Sequence, residues 1–199
     1  MVPEEMRGVW RRRSIAVDGG APAETEHVLW VQGAEAFADL RVPNSSVDGR
    51  VEAFAGATSW DPPRLTWHHT VDWNGRFAGY DCGDIEWRDG ALVEHGTFDD
   101  AGTAHTYEEV WERVDTGDRF VALSADNALI VQVGAYSLAM RDGRAAGSTF
   151  DVRAALWSAE LGWQDTYAFG AGRELPLAAE ARERAEWTVI EAAPAPAPR

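Results

Sequence analysis

Runs of alternating apolar and polar residues dominate this chain, and short turn signals cut them off: NG at 74–75, DG at 89–90, DDAG at 99–102 and DG at 142–143. A strand sends successive side chains to opposite faces, and Asn-Gly or Asp-Gly supplies the positive φ that a tight hairpin needs. The pattern predicts twelve short strands between residues 7 and 158, with consecutive strands paired as an up-and-down meander. Such a sheet exposes two edges, and closure into a barrel removes them. One segment has helical character, ELPLAAEARERAEW at 174–187, where good helix formers carry a weak stripe of Leu175, Ala178 and Ala181. WTVIE at 187–191 reads as a closing strand, and the Ala/Pro end reads as a disordered tail over 192–199. The expected fold is all-β: one domain over 1–191, an antiparallel barrel of about ten strands with a short C-terminal helix.

Charge and composition exclude several functions. At a formal charge of −15 the surface repels phosphate, so neither nucleic acid nor an anionic membrane is an expected partner. No apolar run is long enough to span a bilayer, and MVPEEMRGVWRRR lacks the apolar core of a secretory signal; the expected location is cytoplasmic. The one cysteine, Cys82, rules out an intrachain disulfide. All 18 basic residues are arginine, which excludes lysine Schiff-base chemistry, a covalent pyridoxal link and a phosphate loop of the G-x-x-x-x-G-K type. G-x-S-x-G is absent, and the GAG at 170–172 has no βαβ setting. No cofactor is expected.

LTWHHTVDW at 65–73 places two histidines side by side. On a strand they point to opposite faces, so they cannot share a metal; H-x-H and H-E-x-x-H are absent, and no metal site is expected. Strict alternation puts His69 with Leu65, Trp67, Val71 and Trp73, and His68 with Thr66, Thr70 and Asp72. The same rule groups Trp10, Arg12 and Ser14; Val28, Trp30 and Gln32; Phe37, Asp39 and Arg41; and Tyr107, Glu109, Trp111 and Arg113. If the tryptophan-bearing faces turn inward, the lumen holds Trp10, Trp30, Trp67 and Trp111 together with Arg12, Gln32, Arg41, Asp39, His69, Tyr107 and Glu109. Such a lumen is too polar for a fatty-acid carrier.

GVW at 8–10, opening the first long strand, resembles the glycine–x–tryptophan start of calycin-type barrels, the lipocalins and fatty-acid-binding proteins. Together with VLWVQGAEAFADLRVP, WHHTVDW and YEEVWERV, it is similar to a group of small, uncharacterised lipocalin-like cytoplasmic proteins, over about residues 7–158. The resemblance implies a ligand-sized barrel and no particular reaction. Arg12 stands where haem-binding relatives would carry their next glycine, which counts against haem.

Three functions fit these readings. The first is cofactor-free acid–base chemistry on a small polar or aromatic substrate: isomerisation, cyclisation or dehydration. His69, with Glu109 or Asp39, would move the proton, Tyr107 would donate a hydrogen bond, and Arg12 and Arg41 would hold a developing oxyanion among Trp10, Trp30, Gln32, Trp67 and Trp111. The second is a carrier or sensor using the same cavity, and the third an acidic module that recruits a basic protein. In the structural alternative, Asp39, Glu109, Arg12 and Arg41 pair internally to hold register while the tryptophans fill the core.

Overall fold

The structure, a computed structural model, describes residues 1–45, 51–75, 81–116 and 119–193. Eight antiparallel strands form a closed barrel in chain order: β1 (Gly8–Val17), β2 (Glu26–Gln32), β3 (Ala36–Pro43), β4 (Glu52–Asp61), β5 (Arg64–Asp72), β6 (Asp81–Arg88), β7 (Ala91–Asp100) and β8 (Thr103–Thr116). β8 returns to pair with β1 and removes both edges. The hairpins follow the turn chemistry. Asp89 and Gly90 both have positive φ, 53° and 82°, as a two-residue turn between right-twisted strands requires.

The meander does not stay in one barrel. After β8 come β9 (Phe120–Ala125), β10 (Ala128–Val133), β11 (Tyr136–Asp142), β12 (Phe150–Ser158) and β13 (Gly162–Phe169), which with β14 (Thr188–Ala192) form a second sheet ordered β13-β12-β11-β10-β9-β14. The barrel thus has eight strands where about ten were expected, and β13 was not foreseen. FVALSA and ALIVQV are nearly continuous apolar runs because both faces of this sheet are covered. One face packs on the outside of the barrel, where Val9, Val31, Leu40 and Val71 share a buried core with Leu129, Val131, Leu138 and Met140. The other face, with Leu123, Ile130 and Ala139, is covered by Leu175, Ala178 and Ala181. The helix there is much shorter than 174–187: α1 spans Ala178–Ala181, preceded by a 3-10 turn at Gly172–Glu174. Its stripe is too narrow to bury more. The closing strand forms as expected, and residues 194–199 of the expected tail lie outside the described residues.

Candidate functional site

The inward faces of the barrel change character along every strand. Near one end they carry Trp10, Trp30, Phe37, Leu65, Trp67, Ile85, Leu92 and Trp111, which form one buried cluster with Val2 and Met6 of the N-terminal segment. Trp30 lies 5.4 Å from Trp111, 5.8 Å from Trp67 and 6.1 Å from Trp10 between ring centroids, so these rings fill the space they enclose. Trp10 donates its Nε1–H to the Met6 carbonyl, and the Val2 N–H bonds to the Ala34 carbonyl. These contacts close that end with a floor. Gln32, fully buried, completes it by accepting from Trp30 Nε1 at 3.1 Å and bonding Thr58 Oγ1 at 3.0 Å.

One or two residues further along the same faces, the lumen becomes ionic. Arg12 is sealed among three carboxylates: Glu109 at 2.6 Å, Glu24 at 2.8 Å and Glu26 at 2.9 Å. Burial opposes its charge, and the Glu24 hydrogen bond and Glu109 outweigh that, so its pKa is raised further. Arg41 Nε donates to Asp39 at 3.0 Å, its Nη1 lies 4.0 Å from Glu109, and the guanidinium sits 5.2 Å over the Phe54 ring. Burial pushes the Asp39 carboxyl up to about 6, against the pull of Arg41. Solvent reaches this half of the barrel. The Arg41 side chain is 25% exposed, and those of Glu26 and Asp81 are each 28% exposed.

His69 lies inward, but its surroundings differ from strict alternation. The β4–β5 register slips between Ala55 and Gly56, which leaves Thr70 as an extra residue on β5. Val71 and Trp73 therefore join the core outside the barrel, and Asp72 turns into the lumen beside His69. A second slip between Arg12 and Ser14 sets Ser14 opposite Val110, off the face of Trp10 and Arg12. The imidazole is clamped at both nitrogens, Nδ1 to Asp72 at 2.6 Å and Nε2 to Asp81 at 2.8 Å, and stacks on Phe54 at 4.4 Å. Burial disfavours a charged ring. The two carboxylates, Asp72 first, outweigh it and raise the pKa to about 9. With a carboxylate at each ring nitrogen, the site favours the charged imidazole, which donates both N–H groups.

Tyr107, Glu109 and Trp111 also face inward, while Arg113 lies 4.6 Å over the Trp10 ring. Tyr107 Oη donates to Glu94 at 2.6 Å, and Trp111 Nε1 donates to the other oxygen of Glu94 at 3.2 Å. Glu94, Glu24, Glu26, Asp72 and Asp81 complete the ionic half, and sequence reasoning singled out none of them. At the rim beside the β1–β2 connection, a hollow of about 470 Å³ is lined by Gly19, Gly20, Pro22, His95, Tyr107 and Glu108, among others. His95 and Glu108 belong to the outward face, which places the hollow at the edge of the barrel and not at its floor. Among the described residues, no group of three or more His, Cys, Asp or Glu side chains is arranged to hold a metal ion, and no helix is long and apolar enough to cross a membrane.

Comparison with solved structures agrees with the fold. An uncharacterised protein from Saccharomyces cerevisiae superimposes with a TM-score of 0.72 at 14% identity, covering 92% of this chain and 98% of that one. A lipocalin-like protein from Bacteroides uniformis gives a TM-score of 0.40 at 15% identity, covering 55% and 98%, and that likeness carries no argument. No curated protein is found to be similar to this chain. A family model described as Protein HRI1 matches residues 8–194, barrel and second sheet together, and the chain belongs to the HRI1 protein family.

Proposed function

We propose that this protein binds a small polar ligand in the ionic half of its lumen. One observation carries the reading: a barrel closed by tryptophan at one end gathers six carboxyls and three cations on inward faces, with Glu24 of the β1–β2 connection as a seventh carboxyl, at the end that solvent reaches. Ionic groups inside a barrel cost stability that apolar side chains of equal volume would not, and a closed eight-stranded barrel has room for side chains or one small ligand. The test is native mass spectrometry of the purified protein, followed by a fragment screen by saturation-transfer NMR. A small molecule retained at one per chain, or fragments that bind wild type and are excluded by Gly96→Leu, is the expected outcome. A bare mass together with no fragment binding would sink the reading.

A second reading is favoured by the spread of proton affinities in the same layer. In this reading Asp39, at about 6, and Glu94, which burial and the charge of Glu109 push up to about 8, each exchange a proton with a substrate undergoing cofactor-free isomerisation, cyclisation or dehydration. In this reading Arg41 and Tyr107 hold developing charge, while His69 and Arg12 are positioning residues. Asp39→Asn would then reduce turnover of the identified ligand by orders of magnitude and leave the unfolding midpoint undiminished. A ligand recovered chemically unchanged after prolonged incubation would leave only the carrier.

A further inference from the structure

The carboxyls of the ionic half are paired off, with one exception. Arg12 takes Glu24, Glu26 and Glu109; Arg41 takes Asp39; His69 takes Asp72 and Asp81. Glu94 is only 4% exposed, yet among the described residues no basic group lies within ion-pair distance of it. It sits directly opposite Glu109 on the β7–β8 ladder; Glu109 and Asp81 repel its charge, and Arg41 attracts it from beyond ion-pair distance. A buried carboxyl without a counter-ion is costly, and glutamine or leucine would pack the same space more cheaply.

The surrounding backbone is cut away to seat this group. Gly83 on β6 and Gly96 on β7 lie inside strands, at ordinary φ, where glycine weakens the sheet by roughly 0.5–1 kcal/mol relative to alanine. A Cβ on Gly83 would stand 2.5 Å from Glu94 Cγ, and one on Gly96 would stand 2.4 Å from Tyr107 Cζ and Oη. Two side chains are given up so that one carboxyl and one phenol fit. Tyr107 and Trp111 then fix both carboxyl oxygens, each using a single acceptor position and leaving others open.

We infer that the lumen takes a small organic cation, a protonated amine on an apolar or aromatic body, with Glu94 as its counter-ion and Tyr107 and Trp111 as the groups that orient it. The inference rests on the reading that the lumen binds a small ligand. An ammonium group supplies the charge that Glu94 lacks, while the other buried carboxyls already have partners. The excess of carboxyls over cations in this layer, and the −15 of the whole chain, draw cations toward the mouth and hold anions off. Near neutral pH the incoming ammonium displaces the proton from Glu94, so binding releases a proton to solvent.

Three probes matched in ring and length test this: phenethylamine, 2-phenylethanol and 3-phenylpropionate. Each is titrated into the full chain by calorimetry, in two buffers of different ionisation enthalpy, and followed by saturation-transfer NMR. Wild type is expected to bind the amine about tenfold or more tighter than the alcohol and not to bind the acid, with release of about one proton per amine at pH 7. Glu94→Gln is expected to lose about tenfold in amine affinity while its unfolding midpoint holds or rises. Equal or tighter binding of 3-phenylpropionate, or amine binding unchanged in Glu94→Gln, overturns the cation assignment and leaves ligand binding in the lumen standing. Binding of none of the three by wild type sinks both. If the variant does not fold, the order of the three probes on wild type decides: the amine bound tightest and the acid excluded upholds the assignment, and the acid bound as well as the amine overturns it.

Discussion

The two halves of the barrel lumen are built on the same eight strands and the same inward faces, yet they obey opposite rules. In the floor half, Trp10, Trp30, Trp67 and Trp111 interlock with Phe37 and Leu65; Trp10 and Trp30 donate to a backbone carbonyl and an amide, and Trp111 reaches across to Glu94 of the ionic half. In the ionic half, Arg12, Arg41 and His69 are held by carboxylates that had to be desolvated first. The floor stabilises the fold by burial, roughly 25 cal/mol for each Å² of apolar surface. The ionic half contributes little net stability and confers geometry, because the attraction of each pair mainly offsets its own desolvation. Packing therefore explains the floor, whereas the ionic half has to be explained by the geometry it holds.

The largest expected effects come from one truncation in each half. Trp30→Ala removes a ring packed on three others and should cost about 3–5 kcal/mol, at any pH where the protein is folded. Arg12→Ala should cost about 3–5 kcal/mol near neutral pH, because three carboxylates lose their cation. The two differ in their response to acid. Burial raises the Glu24 pKa, and its hydrogen bond from Arg12 and the N–H of Glu26 outweigh that, so Glu24 is held below its ordinary 4.5. Its stabilisation is present above 4.5 and is lost as pH falls through the lower, folded value. Urea unfolding at several pH values should show the Arg12→Ala deficit shrinking below about pH 4.5 while the Trp30→Ala deficit stays constant. Parallel curves would erase the distinction between the halves.

His69 gives the next effect, with the opposite sign in pH. Its pKa rises from 6.5 in the unfolded chain to about 9 in the fold, so its contribution is complete below 6.5 and disappears as pH climbs through 9. The size is on the order of 3 kcal/mol. The gap in unfolding free energy between wild type and His69→Gln should be widest near pH 6 and close by about pH 10. A gap independent of pH would mean that the ring is neutral and free to act as a base, and would return it to the catalytic role that its sequence setting suggested.

Why that role was suggested shows where the sequence stops. Alternation is enough to sort Phe37, Asp39 and Arg41 from Ala38, Leu40 and Val42, and the first group lines the lumen while the second packs under the outer sheet. Alternation fails at Thr70, because one inserted residue moves everything after it to the other face. That rule grouped Asp72 with His68 on the opposite face, and His69 was matched with Glu109 or Asp39 in its place. Asp81 could not be linked to His69 either, since nothing local joins β5 to β6 at that depth. Glu94 was within reach: the two-residue turn fixes Asp100 opposite Thr103, and counting back along both strands sets Glu94 opposite Glu109. The second sheet was hidden by its own double burial. Its strands read like those of any barrel, and no residue marks the point after β8 where pairing passes from the first sheet to the second.

The smallest effect is the sharpest control, because it lies one residue away from one of the largest. Arg11 and Arg12 are adjacent on β1, and the pleat sends them to opposite faces. Arg11 reaches Glu112 at 2.8 Å, as short as the contact of Arg12 with Glu24, but both partners of the outer pair are more than half exposed. Water screens the outer pair and solvates either partner when the other is removed, whereas the inner carboxylates have no such refuge. Arg11→Ala should leave the thermal midpoint within error of wild type at low and at high salt. If it destabilised the protein as Arg12→Ala does, burial would not be what separates the two arginines, and the ionic half of the lumen would be an ordinary network of ion pairs that happens to face inward.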